Sequence, residues 1–301
     1  MPVTARTFAL PANLRQFESQ RNTMTRLAYR MLGSWSEAED IVQDAFFRWR
    51  SVSRDKVEHP QAYLMKTVTH LCIDVLRKRK IDKLNYTGPW IPEPLEPTFE
   101  SRDPSESMES LGLGLLFLLE RLSPLERAVF VLREAFDLEH QELAEILRIS
   151  SQNSRQLLRR ARNRLSLADQ PQTLGFDGVE EIMSRFCEAM ATGDFEQLGL
   201  ELSEQVEAYT DGGGKASAAR IPLLGIERVT TVLGHVMRKH RDHFSWTSGR
   251  VNGEPALLGW EDGSLASVTL IQGHGRVIHR ILIIRNPDKL RRYETALKHS
   301  D

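Results

Sequence analysis

The sequence predicts a multidomain chain, with an all-α first half that carries two separate basic helical units and an α+β second half. Three observations predict it. Apolar residues recur at three- to four-residue spacing in successive segments up to Leu165. A Pro- and acid-rich stretch (Glu93, Glu96, Glu100, Asp103, Glu106, Glu109) interrupts them and reads as an exposed connector. From His243 the pattern becomes short extended runs separated by turn residues. The 301 residues, at about 150 per domain, leave room for more than one core. A composition of 41% hydrophobic and 27% charged residues is that of globular protein rather than disordered tail.

In chain order, Ser36-Glu37-Ala38-Glu39 is a capping-box pattern leading into Ala38, Ile41, Val42, Ala45, Phe46 and Trp49, an amphipathic helix. Its opposite face carries Asp40, Gln43, Asp44 and Phe47, so an exposed aromatic sits among carboxylates. That face reads either as an ordinary polar surface with one Phe or as a partner-binding surface. His59-Pro60 then starts a helix (Met65, Val68, Cys72, Val75, Leu76) that ends in Arg77, Lys78, Arg79, Lys80 and Lys83, five basic residues in seven. Basic residues at a helix C-terminus oppose the macrodipole, but five exceed what capping needs, and phosphate contact is the sharper reading.

After the connector, Ser123-Pro124-Leu125-Glu126 starts another helix, a short one runs from Glu139 to Arg148, and a third from Gln152 to Leu165: helix, turn, helix. Leu157, Leu158, Ala161 and Leu165 form the buried stripe of the third, with Gln152, Arg155, Gln156, Arg159 and Asn163 opposite. Arg, Gln and Asn there suit base edges and phosphates, the inventory of a recognition helix in a major groove. The second half predicts helices at 178–192, 195–202 and 226–239, an extended segment at 206–210, and strands at 243–251, 255–260, 265–271 and 277–284 in an antiparallel sheet.

A formal net charge of −1, from 40 basic and 41 acidic residues, argues against a protein that coats duplex DNA by bulk electrostatics. Cys72 and Cys187 are too far apart in sequence to suggest a disulfide framework or metal cluster, which fits a reducing cytoplasm. No apolar run approaches the roughly 20 residues that span a bilayer, and Met1 to Pro11 lacks a signal-peptide pattern.

The first half resembles the extracytoplasmic-function sigma factors of bacterial RNA polymerase. Ala38-Glu39-Asp40-Ile41-Val42-Gln43-Asp44-Ala45-Phe46 is similar to the sigma domain-two helix that docks on the polymerase clamp. Pro60-Gln61-Ala62-Tyr63-Leu64 and the basic run after it resemble the segment that opens and reads the minus-ten element. Leu122-Ser123-Pro124-Leu125-Glu126-Arg127 and Arg159-Arg160-Ala161-Arg162 resemble the two ends of sigma domain four, which reads the minus-thirty-five element. The resemblance implies polymerase binding by Asp40, Gln43, Asp44, Phe47 and Arg48. It implies DNA binding by Arg77, Lys78, Arg79, Lys80, Arg155, Gln156, Arg159, Arg160 and Arg162. Core RNA polymerase, through its clamp and flap, and promoter DNA are the implied partners, with no membrane involved.

The helices-then-sheet order of the second half resembles the SnoaL-like, NTF2-like cone. Trp90-Ile91-Pro92-Glu93-Pro94, Asp211-Gly212-Gly213-Gly214-Lys215 and Asn286-Pro287-Asp288-Lys289-Leu290 look like hallmarks of the sigma subgroup with a fused SnoaL-like domain, Ile91 standing where Leu is expected. The implied layout is sigma domain two over 10–85, a linker over 86–110, sigma domain four over 111–168 and a SnoaL-like regulatory domain over 175–301. In that subgroup the appended domain regulates the sigma part in cis. Trp90 between prolines reads as a stiff apolar anchor, Lys215 beside Asp211 as paired charge, and the glycines as backbone able to approach a partner closely or as a hairpin turn.

The cone also hosts enzymes, but His235, His240, His243, His274, His279 and Asp211 show no nucleophile motif or metal spacing. The expectation is a non-catalytic domain with no cofactor and no metal. A small apolar ligand near Trp246 and Trp260 stays open. The alternatives are a ligand-responsive helix-turn-helix regulator, which leaves the first basic helix and the acidic docking face unexplained, and a SnoaL-like enzyme fused to a DNA-binding unit.

Overall fold

The computed structural model describes residues 12–52, 57–82, 86–95, 112–166, 176–195, 198–240 and 242–298. The connector beyond Leu95 and the junction 167–175 lie outside the described residues, as does the Lys80 side chain. The helices are α1 (Ala12–Leu32), α2 (Trp35–Ser51), α3 (Pro60–Asp82), α4 (Leu113–Leu119), α5 (Pro124–Phe136), α6 (His140–Leu147), α7 (Ser151–Ser166), α8 (Phe176–Thr192), α9 (Ile226–His240) and α10 (Pro287–Lys298). The strands are β1 (Leu202–Asp211), β2 (Leu223–Leu224), β3 (Phe244–Val251), β4 (Glu254–Glu261), β5 (Ser264–His274) and β6 (Val277–Ile284). The chain divides into two compact units, one of Met1–Arg79 with Pro124–Arg159 and one of Lys80–Ser123 with Arg160–Asp301.

In the first unit α1 and α2 pack closely, with the Phe17 and Phe46 rings 5.0 Å apart and Tyr29 and Trp35 5.8 Å apart. The long α1 carries Phe17, Met24, Leu27, Ala28, Met31 and Leu32 inward, a stripe the sequence reading passed over. Ser34 rather than Ser36 caps α2, accepting from the Glu37 backbone N–H at 3.4 Å. Its buried face of Ala38, Ile41, Val42, Ala45 and Trp49 is as the periodicity predicts, while Phe46 is half-buried. The last turn of α6 is held to α3 by side chains: Lys66 Nζ donates to the Glu145 carbonyl at 3.0 Å and His70 Nε2 to that of Ile146 at 2.8 Å. Carbonyls at a helix end have no intrahelical partner and carry the negative end of the dipole, so donors there are well placed.

The second unit is built on one six-stranded sheet of order β2-β1-β6-β5-β4-β3. It is mixed, not antiparallel throughout as the hairpin signals predict: β1 pairs with β6 in parallel, Asp211 opposite Ile284. Parallel partners some 70 residues apart leave no turn signature, which is why local pattern could not reveal them. The turns are where the sequence places them. Asn252 and Gly253 between β3 and β4, and Asp262 and Gly263 between β4 and β5, all have positive φ, as two-residue hairpins require. The helix expected at 195–202 is a 3-10 turn, Leu198–Glu201.

Alternation along the strands splits the apolar residues between two cores. One face (Ala208, Leu257, Ile271, Ile281, Ile283) lies under Phe186 and Met190 of α8 and Leu233 of α9. The other (Ala256, Leu258, Val268, Leu270, Leu282, Ile284) is covered by Ile91 from the connector, Leu113 and Phe117 of α4, and Leu290 and Tyr293 of α10. The first turn of α4 is anchored as well, since the Gly114 N–H donates to Glu254 Oε2 at 3.0 Å. Among the described residues no helix is long and apolar enough to cross a membrane.

Candidate functional site

Four features stand out. On α2, Asp40, Gln43, Asp44, Phe47 and Arg48 all lie on the exposed side, and Phe47 is 54% exposed although large and apolar. The stripe of buried residues fixes this face, because a helix that turns Ile41, Ala45 and Trp49 inward turns residues 40, 43, 44 and 47 outward, with Arg48 exposed at the edge of the stripe.

The helix-turn-helix is formed by α6 and α7. Glu139 and Glu142 make a reciprocal capping box at the start of α6, and Arg148 ends it in the left-handed region (φ 55, ψ 48), which reverses the chain within three residues. The turn is pinned by His140 Nδ1 to the buried Ser154 hydroxyl at 2.9 Å and by the Asn153 N–H to Ser150 Oγ at 3.1 Å. Leu157, Leu158, Ala161 and Leu165 are buried, and Arg155, Gln156, Arg159, Arg160 and Arg162 are exposed. The face predicted to meet DNA is therefore open to solvent.

The first basic run is less uniform than the sequence suggests. Arg77 and Lys78 are exposed, but Arg79 turns inward: its guanidinium pairs with Glu37 on α2 and donates to the Leu32 carbonyl at 2.6 Å, leaving the side chain 15% exposed. It braces α3 against α1 and α2. Its placement among the DNA-facing residues is corrected accordingly.

The fourth is a buried junction where the three short motifs meet. Asp211, at the end of β1, has no solvent exposure, and its carboxylate accepts four hydrogen bonds. Oδ1 receives Tyr86 Oη at 2.6 Å and the Gly213 N–H at 3.1 Å; Oδ2 receives the Ile91 N–H at 2.8 Å and Lys289 Nζ at 2.7 Å. Lys289 also donates to the Ile91 carbonyl, and its ammonium lies 4.2 Å from the centroid of the Trp90 ring. Asn286 caps α10, its Oδ1 accepting the Asp288 N–H at 3.1 Å, while its Nδ2 donates to Tyr86 Oη at 3.2 Å. The backbone N–H groups of Arg285 and Asn286 donate to the Asp211 carbonyl. Burial first, and the Asp211 carboxylate second, push the Tyr86 phenol above its ordinary range, so it remains a donor at neutral pH.

The glycines permit this meeting. Gly213 has φ +59, and a Cβ on it would lie 2.2 Å from Asn286 Nδ2. The run forms a tight turn, with the Lys215 and Ala216 N–H groups both donating to the Gly212 carbonyl. Gly214 follows at φ +73, and Pro92 and Pro94 are buried alongside Ile91 while Glu93 is partly exposed. Pro287 begins α10 and Leu290 is buried beneath it.

Two expectations change. Lys215 does not pair with Asp211; it pairs with Asp288 at the surface, and that hydrogen bond is the main reason the Asp288 carboxyl is held below its ordinary range. Asp211 takes Lys289 instead. The apolar anchor of the connector is Ile91, fully buried, and Trp90 serves as a half-buried lid over Lys289. The sequence reading missed Tyr86, a lone aromatic before Gly88, and Asn252, whose Oδ1 accepts the Leu95 N–H at 2.8 Å. Because the Lys215–Asp288 pair is half exposed, Lys215→Ala is expected to change stability by less than about 1 kcal/mol in urea denaturation.

Comparison with known proteins follows the same division. The family models Sigma-70 region 2 and Sigma-70, region 4 match residues 17–81 and 113–165. The chain is 33% identical over 289 residues to "ECF RNA polymerase sigma factor SigJ" of Mycobacterium tuberculosis, covering 91% of this chain and 92% of that protein. It is 27% identical over 281 residues to "Probable ECF RNA polymerase sigma factor SigI" of the same species, covering 91% and 93%. The crystal structure of M. tuberculosis SigJ superposes with a TM-score of 0.71 at 30% identity, over 92% of this chain and 98% of that one.

Proposed function

The chain belongs to the extracytoplasmic-function sigma factors of RNA polymerase, which direct transcription initiation, and on that premise we propose a division of labour among its surfaces. The α2 face of Asp40, Gln43, Asp44, Phe47 and Arg48 docks on the polymerase clamp. Arg77, Lys78 and Lys80 hold the strands near the melted region. Arg155, Gln156, Arg159, Arg160 and Arg162 on α7 engage the upstream duplex, with the same module meeting the flap. The sigma factor works in the cytoplasm, and the sheet-containing unit regulates in cis without catalysing a reaction.

The observation that carries cis regulation is the fate of α4. The region 4 match begins at residue 113, yet Leu113 and Phe117 are buried in the core of the C-terminal sheet, beside the junction of the three motifs. A segment of the promoter-reading module thus shares its packing with the appended domain. Whatever loosens or tightens that packing changes the geometry available to region 4.

Run-off transcription with purified core polymerase tests both parts. Promoter-specific transcripts are expected only when the chain is added, and no such transcript from any genomic fragment would defeat the docking assignment. Truncation after Arg292, which removes the buried Tyr293 and its 2.6 Å bond to the Arg250 carbonyl, is expected to change output. Truncation from Gln170 is expected to abolish or strongly alter it. Wild-type output from both truncated chains would refute cis regulation.

A further inference from the structure

Within the C-terminal unit, α8, α9 and the adjoining sheet face line a cavity of about 90 Å³. Its walls are mostly apolar, with Met190, Val236 and Ile283 among them, and the Phe244 and Trp246 rings stack along one side, centroids 5.7 Å apart and 25° between planes. Two polar groups in this lining have unmet capacity.

The first is Ser267, 2% exposed, whose hydroxyl has no hydrogen-bond partner among the described residues. A buried hydroxyl without a partner is disfavoured in an apolar setting unless something fills its place. The second is Arg285, just beyond β6. It donates one N–H to the Ser217 carbonyl at 2.9 Å and lies 5.8 Å from the Phe244 centroid, with no carboxylate at ion-pair distance among the described residues. Burial pushes the Arg285 guanidinium down from its ordinary range, and the charge of Glu261 only partly offsets this.

Register brings these groups together. Trp246 is opposite Gly259, Gly259 is opposite Ser267, and the Val268–Ile284 pair places Ser267 and Arg285 across from each other one step further on. Residues directly opposite on neighbouring strands share a face with Cβ atoms about 5 Å apart. The row therefore reads aromatic, glycine, hydroxyl, guanidinium. Gly259 is required in it, because a Cβ there would lie 2.3 Å from Ser267 Oγ and 2.6 Å from the Trp246 ring.

We propose that this cavity is a binding site for a small monocarboxylate with a short aliphatic body. The carboxylate takes the guanidinium of Arg285 and the hydroxyl of Ser267, and the body lies against Trp246 and Phe244. Charge-assisted bidentate pairing is what a planar guanidinium does best, and an apolar wall with two convergent polar groups is the usual make-up of a small-molecule site.

The test is isothermal titration of the full chain, without polymerase, with acetate, butyrate and the neutral 1-butanol. At least one of the two acids is expected to bind, and 1-butanol at least tenfold more weakly. Ser267→Ala removes an unpartnered hydroxyl, so it leaves the fold intact while weakening the acid by about tenfold; Arg285→Met weakens it further. No binding by either acid, equal binding of the alcohol, or unchanged affinity in a folded Ser267→Ala chain would overturn the proposal. Any effect of the ligand on transcription rests on the cis-regulation reading. Binding is measured without polymerase, so failure of one is distinguishable from failure of the other.

Discussion

Replacing Asp211 with alanine is expected to destabilise the C-terminal unit by about 3–5 kcal/mol, the usual cost of breaking a buried ion pair by removing one partner. The reason lies in what is left behind. Lys289 is 6% exposed, and without the carboxylate its ammonium keeps only the Ile91 carbonyl and the Trp90 and Tyr86 rings. Tyr86 Oη and the N–H groups of Ile91 and Gly213 lose their acceptor in the same change. Urea denaturation read by tryptophan fluorescence checks this, and a midpoint within error of the wild type would remove the junction as a structural keystone. Asp211→Ala combined with Lys289→Met is expected to cost clearly less than the two single changes added, since each alone strands a charge that the pair leaves together. The Lys215–Asp288 and Asp211–Lys289 pairs link the same two motifs, and burial alone separates the expected effects of breaking them.

Phe47→Ala carries the second large effect, on association rather than folding. An aromatic at the centre of an interface typically contributes 2 kcal/mol or more, which corresponds to about a 30-fold loss of affinity for core polymerase. The free chain is expected to keep its stability, because the Phe47 ring is mostly in solvent. Phe46 supplies the opposite behaviour: it is half-buried and packs 5.0 Å from Phe17, so Phe46→Ala is expected to lower stability. A binding titration with core polymerase and a thermal melt on each variant separate the two. Unchanged polymerase affinity in Phe47→Ala would withdraw the docking role of the α2 face.

What could be read in advance depended on how local the cause was. Helix limits around the promoter-reading turn agree within a residue or two because Glu139, Glu142 and the apolar stripe of α7 act within a turn or two of their own positions. Hairpin turns were legible for the same reason, since Asn252-Gly253 and Asp262-Gly263 state their φ requirement in their identity. The errors concern partners chosen by tertiary approach. Asp211 lies four residues from Lys215, but the glycine turn carries Lys215 outward to Asp288 while Lys289 arrives from the far end of the chain. Arg79 reads as one more cation in a run of five, and only the packing of α3 shows it meeting Glu37. The parallel partnership of β1 and β6 and the burial of α4 on the sheet are likewise invisible to periodicity.

The position of β6 has a consequence for the order of events during synthesis. It is made after β1 to β5, yet it lies between β1 and β5, so β1 and β2 cannot join the β3-β4-β5 meander until β6 itself has been made. Lys289 and α10 emerge later still. Nascent chains fold their early segments first. Leu113 and Phe117 of α4, made well before the sheet, therefore find their partners Ile284, Leu290 and Tyr293 only after β6 and α10 have followed.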